Sequence, residues 1–229
     1  MRVELLRYTQ NGIELVARSA RVSGIPEGIS DREIVRMIVE NDYSSALEHI
    51  TFTFIIEGMS VALSRELLEH RIASHTARST RYNEEADFGY YVPVELAGDE
   101  EALRLYNEAM GYLNSAVKEL RARGVPREAT RYLLPMATHT SYIWTINARS
   151  LINFLGLRLC VRAAPEIRAL AMEVQRVAAG VYPEIFDGMG CRGYNLGLCP
   201  ENEVRAGTKC PWKGKIPTKV EVKARWKND

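Results

Sequence analysis

Several features that would mark a specialised class of protein are scarce or missing in this sequence. Only 4 of its 229 residues are cysteine, which is too few for a disulfide framework in a chain of this size. The net charge is only +1, so no global field attracts nucleic acid. Apolar runs fall far short of the ~20 residues that a membrane helix needs, and residues 1–10 lack the apolar region of a secretory signal. We therefore expect a soluble, cytoplasmic globular protein with no membrane or nucleic-acid partner.

The composition that is present is ordinary for a globular protein, with 46% hydrophobic and 26% charged residues. Alternating and helical apolar patterns predict an α+β fold, because strands and helices do not follow strict βαβ order. We expect a single domain over residues 1–185, with a mixed or antiparallel sheet flanked by long helices, and a Gly-, Cys- and Lys-rich tail over 186–229. The predicted strands are 2–8, 14–17, 50–58 and 138–147, with 219–226 as an edge strand or a partner-dependent arm. The predicted helices are 30–42, 60–74, 99–123, a short one after Pro126, 150–160 and 165–179.

Two segments, residues 69–82 and 147–158, hold an unusual density of Arg, His, Asn and Ser. The first follows a predicted helix and is expected to be largely a polar loop over 74–89. The second begins at the end of a predicted strand and continues into a helix that carries Arg158 at its far end. A guanidinium there must reach water or an anionic partner. From spacing alone, a structural salt bridge at Arg158 and a merely solvated Arg-rich loop are the plainer alternatives to a binding site.

The residues of both segments resemble the flavin-dependent thymidylate synthases. That family carries R-H-R, seven further residues and then S-x-R-Y, which is matched here at His70, Arg71, Ser79, Arg81 and Tyr82. Its motif N-x-R-S-L-x-N-F-L-x-L-R is matched without a break over 147–158, and P-R-E-A-T-R-Y-L-L-P over 126–135 resembles its R-E-x-x-R-x-x-L-P helix. A-L-E-H-I-T-F-T-F over 46–54 resembles the start of its F-E-H strand. The resemblance covers about residues 43–170.

The resemblance implies a fold like that of the family and an activity. Members are homotetramers with FAD between subunits, and they methylate dUMP to dTMP with a carbon unit from methylene-tetrahydrofolate. The reduced flavin supplies the hydride, and NADPH is the expected reductant. By resemblance, the flavin contacts are Ser45, His70, Arg71, Asn147, Arg149 and Asn153. By the same resemblance, the nucleotide site holds seven residues, of which Glu66 and Glu69 differ from those of the family. They are Glu66, Glu69, Arg78, Ser79, Arg81, Arg131 and Arg158.

The chemistry of these side chains suits the implied reaction. Uracil C5 becomes nucleophilic only when charge is drawn onto the ring carbonyls and N3, and a fixed guanidinium at Arg158 stabilises that charge. Its planar fork pairs with a planar acceptor edge better than an ammonium group does. Arg81 and Arg131 are suited to neutralising a phosphate. We expect Ser79 to donate a hydroxyl to phosphate rather than to act as a nucleophile, because a flavin route needs none.

The sequence departs from the family at four places, and two of these changes put acidic groups where the family meets a phosphorylated ligand. The first Arg of R-H-R is Glu69, a Gln three residues earlier is Glu66, an Asn-Glu pair is Thr76-Ala77, and a His is replaced by Tyr43. A carboxylate about 4 Å from a phosphate is repelled by ~1 kcal/mol even in water. Arg78 is positioned to compensate. Three hypotheses follow: a thymidylate synthase with an altered phosphate site, an enzyme for another uracil nucleotide or nucleoside, or a non-catalytic protein that binds flavin or nucleotide.

The four cysteines lie late in the chain, with Cys160 just after the second motif and Cys191, Cys199 and Cys210 in the tail. Three cysteines bunched in a glycine-rich cytosolic segment favour metal ligands over disulfides. A subgroup of the family has a similar tail, and four thiolates complete a tetrahedral structural zinc site. An iron–sulfur cluster is a weaker alternative. The spacings lack C-x-x-C pairs, so buried or free thiols are an equal alternative.

Overall fold

The computed structural model describes residues 1–83, 85–201 and 210–226. Four strands form one sheet in the order β1-β2-β4-β3, and the fold is α+β with an antiparallel sheet, as the sequence predicts. The strands are β1 (Arg2–Tyr8), β2 (Thr51–Ser60), β3 (Ala73–Ala77) and β4 (His139–Asn147). The helices are α1 (Gly12–Val22), α2 (Asp31–Glu40), α3 (Val61–Leu68), α4 (Glu100–Ala122), α5 (Arg127–Thr130), α6 (Ala148–Arg158), α7 (Pro165–Ala179), α8 (Pro183–Phe186), α9 (Arg192–Leu196) and α10 (Lys219–Arg225). No helix within the described ranges is long and apolar enough to cross a membrane.

The chain divides into two compact units by its internal contacts. Unit 1 contains Met1–Glu4 and Phe54–Thr145, and unit 2 contains Leu5–Thr53 and Ile146–Asp229. Strands β1, β2 and β4 each pass from one unit to the other. This division differs from the boundary expected at residue 185, and a separate tail over 186–229 stays a prediction.

The core of unit 1 is formed where alternate residues of β2 and β4 point to one face. Phe54 and Trp144 are fully buried with ring centroids 6.0 Å apart, and Leu63 and Leu67 of α3 are buried with them in this unit. Ser60 caps α3 by accepting a hydrogen bond from Leu63 N at 2.9 Å. Helix α3 therefore begins at Val61, and it ends at Leu68, six residues earlier than expected.

The core of unit 2 is built from helices α1, α2, α6 and α7 with the adjoining residues of β2. Phe52 packs edge-to-face against Phe186 with ring centroids 5.5 Å apart, and Phe154 of α6 is fully buried. Gly12 begins α1 so close to Tyr182 that an added Cβ would lie 2.5 Å from its hydroxyl oxygen. That hydroxyl accepts a hydrogen bond from Gly12 N at 2.9 Å and donates one to the Thr9 carbonyl. Only glycine fits at this approach.

Three elements predicted from the sequence are wrong. Residues 14–17 are part of α1 rather than a strand, because Val16, Ala17 and Ala20 form a buried stripe at helical spacing. Residues 73–77 form β3, an edge strand whose polar, largely exposed side chains resemble those of a loop. Residues 219–225 form α10, which starts at a capping box between Thr218 and Glu221.

Candidate functional site

The unbroken motif over 147–158 lies in unit 2, where β4 ends and α6 begins. Asn147 is the N-cap of α6, and its Oδ1 accepts a hydrogen bond from Ser150 N at 2.8 Å. Ala148 N donates to Ile50 O at 2.8 Å. The Asn147 NH₂ group and the Arg149 N–H donate to no group in the described part of the chain. The start of α6 therefore presents an oriented amide and an open backbone donor, which suits a polar or anionic ligand.

Arg149 is exposed and forms an ion pair with Glu48, Nη1 to Oε1 at 2.5 Å. Glu48 lies in the 3₁₀ turn Ser44–His49, which also carries the exposed Ser45. Glu48 belongs to the segment 46–54 that resembles the family's F-E-H strand, but the sequence comparison assigned it no role. The pairing brings Arg149 and the 3₁₀ turn together, so two of the predicted flavin contacts, Ser45 and Arg149, lie on neighbouring elements of unit 2.

The rest of α6 alternates between core and accessible positions. Leu151, Phe154 and Leu155 are buried, which fixes the helix against the core of unit 2. Asn153 is exposed, and Arg158, the last residue of α6, is half-buried and interacts within the chain. The structure therefore leaves Asn153 accessible to a ligand and fixes Arg158 on a rigid helix.

The second group of predicted residues lies in unit 1, where α3 leads into β3. Glu66 is half-buried in the last turn of α3, and Glu69 is its exposed C-cap. His70 is half-buried, and Arg71 is exposed without an ion pair to any residue in the described ranges. Arg71 is thus an accessible cation beside two carboxylate-bearing positions.

Two of the loop arginines are already paired with carboxylates of unit 1. Arg78 Nε lies 2.9 Å from Glu85 Oε1, and the Glu85 side chain is only 12% exposed. Arg81 Nε lies 3.3 Å from Glu128 Oε1, and both of these side chains are well exposed. We expected Arg78 to offset the negative charges of Glu66 and Glu69, but Glu85 already pairs with Arg78. Glu85 is not among the site residues predicted from the sequence.

Ser79, Thr80 and Arg131 surround the same part of unit 1. Ser79 Oγ accepts a hydrogen bond from Arg81 N at 3.3 Å, which is a turn contact rather than activation by a base. Arg131 lies in the 3₁₀ turn Arg131–Leu133 with its guanidinium 5.3 Å from the Tyr132 ring centroid. A cavity of about 10 Å³ lies beside it, lined by Thr80, Asn83, Glu85, Val117, Arg127, Thr130, Arg131 and Leu134. That space suits one water molecule, so a nucleotide must contact these side chains at the surface.

The four cysteines are free and half-buried. Burial raises the pKa of the Cys199 thiol, and the neighbouring Cys191 and Cys210 raise it further. Among the described residues, no group of three or more His, Cys, Asp or Glu side chains is placed to hold a metal ion. The metal site at Cys160, Cys191, Cys199 and Cys210 therefore stays a prediction, as does the alternative of free thiols.

Comparisons with known proteins agree with this geometry. The sequence model of the thymidylate synthase complementing protein family matches residues 4–184. A flavin-dependent thymidylate synthase of Geobacter sulfurreducens is 39% identical over 219 residues, which span 90% of this chain and 94% of that protein. One of Sulfolobus acidocaldarius is 38% identical over 205 residues, which span 83% and 77% of the two chains. A crystal structure of the UMP/dUMP methylase PolB from Streptomyces cacaoi with bound 5-Br dUMP superimposes with a TM-score of 0.70 at 25% identity, covering 81% of this chain and 93% of that one.

Proposed function

Since the chain belongs to the thymidylate synthase complementing protein family, we propose that it is a flavin-dependent thymidylate synthase that methylates dUMP to dTMP. The observation that carries the proposal is the motif over 147–158. It is complete in sequence, and it is mounted on α6 with Asn147 as the cap and Phe154 in the core. A binding motif on a buried helix is held in one geometry, which binding and catalysis both require.

The residues present fit FAD. Asn147 offers an oriented NH₂ group, Arg149 an open backbone N–H, and Asn153 an exposed amide. We assign flavin contacts to the predicted set Ser45, His70, Arg71, Asn147, Arg149 and Asn153. When bound, the flavin supplies the hydride that reduces the transferred carbon unit. Glu48, which lies in the same 3₁₀ turn as Ser45, holds the Arg149 side chain through its ion pair.

The nucleotide is assigned to the exposed arginine-rich surface of unit 1 together with Arg158. The Arg81–Glu128 pair is solvent-exposed, and such pairs contribute only ~0–1 kcal/mol. A phosphate dianion offers a stronger, charge-assisted partner for Arg81, so it exchanges readily with Glu128. Arg131 adds a second cation and Ser79 a hydroxyl donor. Arg158 stabilises negative charge that develops on the uracil ring during attack by C5.

A second candidate function is methylation of another uracil nucleotide or of a nucleoside. The observation that favours it is the Arg78–Glu85 pair, because it removes the cation that would offset Glu66 and Glu69 next to a phosphate. The Streptomyces cacaoi neighbour is a methylase of both UMP and dUMP. A flavin- or nucleotide-binding protein without turnover is the third candidate, favoured by the same two carboxylates.

The remaining parts of the proposal follow the family resemblance. The carbon donor is methylene-tetrahydrofolate or a related pterin, and NADPH is the reductant. We expect a homotetramer, because members of the family bind FAD between subunits. The nucleotide, the folate and NADPH are cytoplasmic compounds, so we expect the enzyme to act there.

The experiment that tests the proposal is an absorbance titration of the full chain. FAD is added first, and dUMP, UMP and deoxyuridine are then titrated separately against the bound flavin. A flavin spectrum that shifts with dUMP supports the thymidylate synthase. A spectrum that shifts only with UMP or deoxyuridine supports the second candidate. A bound flavin that responds to no uracil compound, and shows no folate-dependent turnover, supports the third, and absence of flavin binding contradicts the proposal.

A further inference from the structure

His75 has no role in the assignments made so far, yet its ring is fixed on two sides. Its Nε2 lies 3.1 Å from the backbone carbonyl oxygen of His70. Its ring packs edge-to-face against Tyr142 of β4, with centroids 5.7 Å apart and planes at 75°. Tyr142 is only 3% exposed, so it is a rigid support. Both contacts lie within unit 1.

The contact with His70 determines which ring nitrogen carries the proton. A carbonyl oxygen only accepts hydrogen bonds, so Nε2 must be the donor. The Nδ1 atom of His75 is buried and has no hydrogen-bond partner among the described residues. In the neutral ring, Nδ1 is therefore the nitrogen that carries no proton. The geometry therefore assigns the Nε2–H tautomer to His75.

This hydrogen bond closes the short loop that carries His70 and Arg71. The N–H of His70 donates to Leu67 O at 3.1 Å, and its C=O accepts from His75, so both backbone groups of His70 are tied down. The peptide bond is planar, so fixing the His70 carbonyl also fixes the direction of the Arg71 N–H and the position of the Arg71 Cα atom, from which the side chain starts. Arg71 is exposed and forms no ion pair with a described residue, so its backbone is its main restraint.

We propose that His75 is a positioning residue for flavin: its Nε2–H orients the His70–Arg71 peptide, which presents both side chains to the cofactor. This inference rests on the proposed function, because that function places His70 and Arg71 against FAD. His75 acts only through the His70 carbonyl. The effect depends on a donor at the position of Nε2 and not at that of Nδ1.

The test compares His75→Gln, His75→Asn and His75→Leu by titrating FAD into the full-length protein and following flavin fluorescence. Gln places its NH₂ group near the position of Nε2, whereas Asn places it near that of Nδ1. In the Asn and Leu variants we expect the Kd for FAD to rise three- to tenfold, which is the effect of losing one hydrogen bond. In the Gln variant the Kd should stay within twofold of that of the parent. Tyr142→Phe is the control, because it keeps the supporting ring, and it should leave the Kd unchanged.

Equal Kd values for Gln and Asn, or an unchanged Kd in Leu, would overturn the inference. If Leu does not fold, the Gln and Asn variants decide alone. Nitrogen-15 NMR of the His75 ring in the parent adds a readout that needs no cofactor: the Nε2–H tautomer is expected, and the Nδ1–H tautomer would contradict the proposal. A parent protein that binds no FAD would overturn the proposed function and this inference together, and a parent that binds FAD leaves the variants to test His75 alone.

Discussion

The segments 147–158 and 69–82 carry similar side chains but are held in different ways. In 147–158, the cap hydrogen bond that Ser150 N donates to Asn147 Oδ1 and the buried side chain of Phe154 fix the polar residues on a helix. In 69–82, side chains are largely exposed, and Arg78 and Arg81 are held by carboxylates. The first segment is preorganised for a ligand, whereas the second must exchange internal ion pairs for ligand contacts. Loss of a preorganised group should therefore have the larger effect on function.

The largest effect is expected from Arg158→Ala, which removes the guanidinium from the preorganised segment. Turnover should fall at least 10²-fold, because the charge on the uracil ring is no longer stabilised, while FAD stays bound. Steady-state kinetics and the flavin spectrum measure the two properties. Arg176→Ala, at an exposed position of α7, is the matched control and should leave both unchanged. Normal turnover of Arg158→Ala would refute the assigned role.

A moderate effect is expected from Asn147→Ala, which removes the cap of α6. The free energy of unfolding should fall by about 1 kcal/mol, because Ser150 N loses its acceptor. Asn153→Ala is the matched variant, and it should leave stability within ~0.5 kcal/mol because Asn153 is exposed. Denaturant unfolding of the flavin-free protein measures both, and FAD titration should show weaker binding in each. Equal destabilisation by the two changes would contradict the proposed difference.

The smallest effect is expected from Glu85→Gln, which removes the carboxylate paired with Arg78 of segment 69–82. Removing this carboxylate releases Arg78 for a phosphate, so the KM for dUMP should fall about two- to threefold, while the KM for any deoxyuridine turnover stays constant. Asp87→Asn is the control, since it makes the same charge change nearby at a residue paired with Lys118 instead. A higher KM for dUMP in Glu85→Gln would show that Glu85 supports nucleotide binding.

The same contrast explains what the sequence could predict. Strand β4 and helix α6 were predictable because apolar residues such as Trp144 and Phe154 repeat at the period of their element. Strand β3 was missed because it is an edge strand with polar side chains, and its identity depends on pairing with β4. The ion pairs of Glu48 and Glu85 were also missed, since the Glu48–Arg149 pair joins residues 101 positions apart.

Helix α10 shows the opposite case, because its signal was present and was misread. The alternation of Val220 and Val222 suggested a strand, but the T-x-x-E pattern from Thr218 to Glu221 marks a helix start. The zinc site stays a prediction for a different reason. Counting cysteines says nothing about their distances; Cys191 and Cys210 lie near enough to Cys199 to raise its pKa, but among the described residues no group of three or more ligand side chains is placed to hold a metal ion.

The hydroxyl of Tyr182, which joins Gly12 and Thr9, has a consequence for synthesis of the chain. This contact links residues 170 positions apart, and it closes a unit assembled from two separate stretches of sequence. Unit 2 therefore cannot complete its core until residue 182 has emerged from the ribosome. The stretch Phe54–Thr145, the larger part of unit 1, is continuous and emerges earlier. During translation, Leu5–Thr53 can complete its packing only after the second stretch of unit 2, which starts at Ile146, has been synthesised. Contacts between residues so far apart in sequence slow folding.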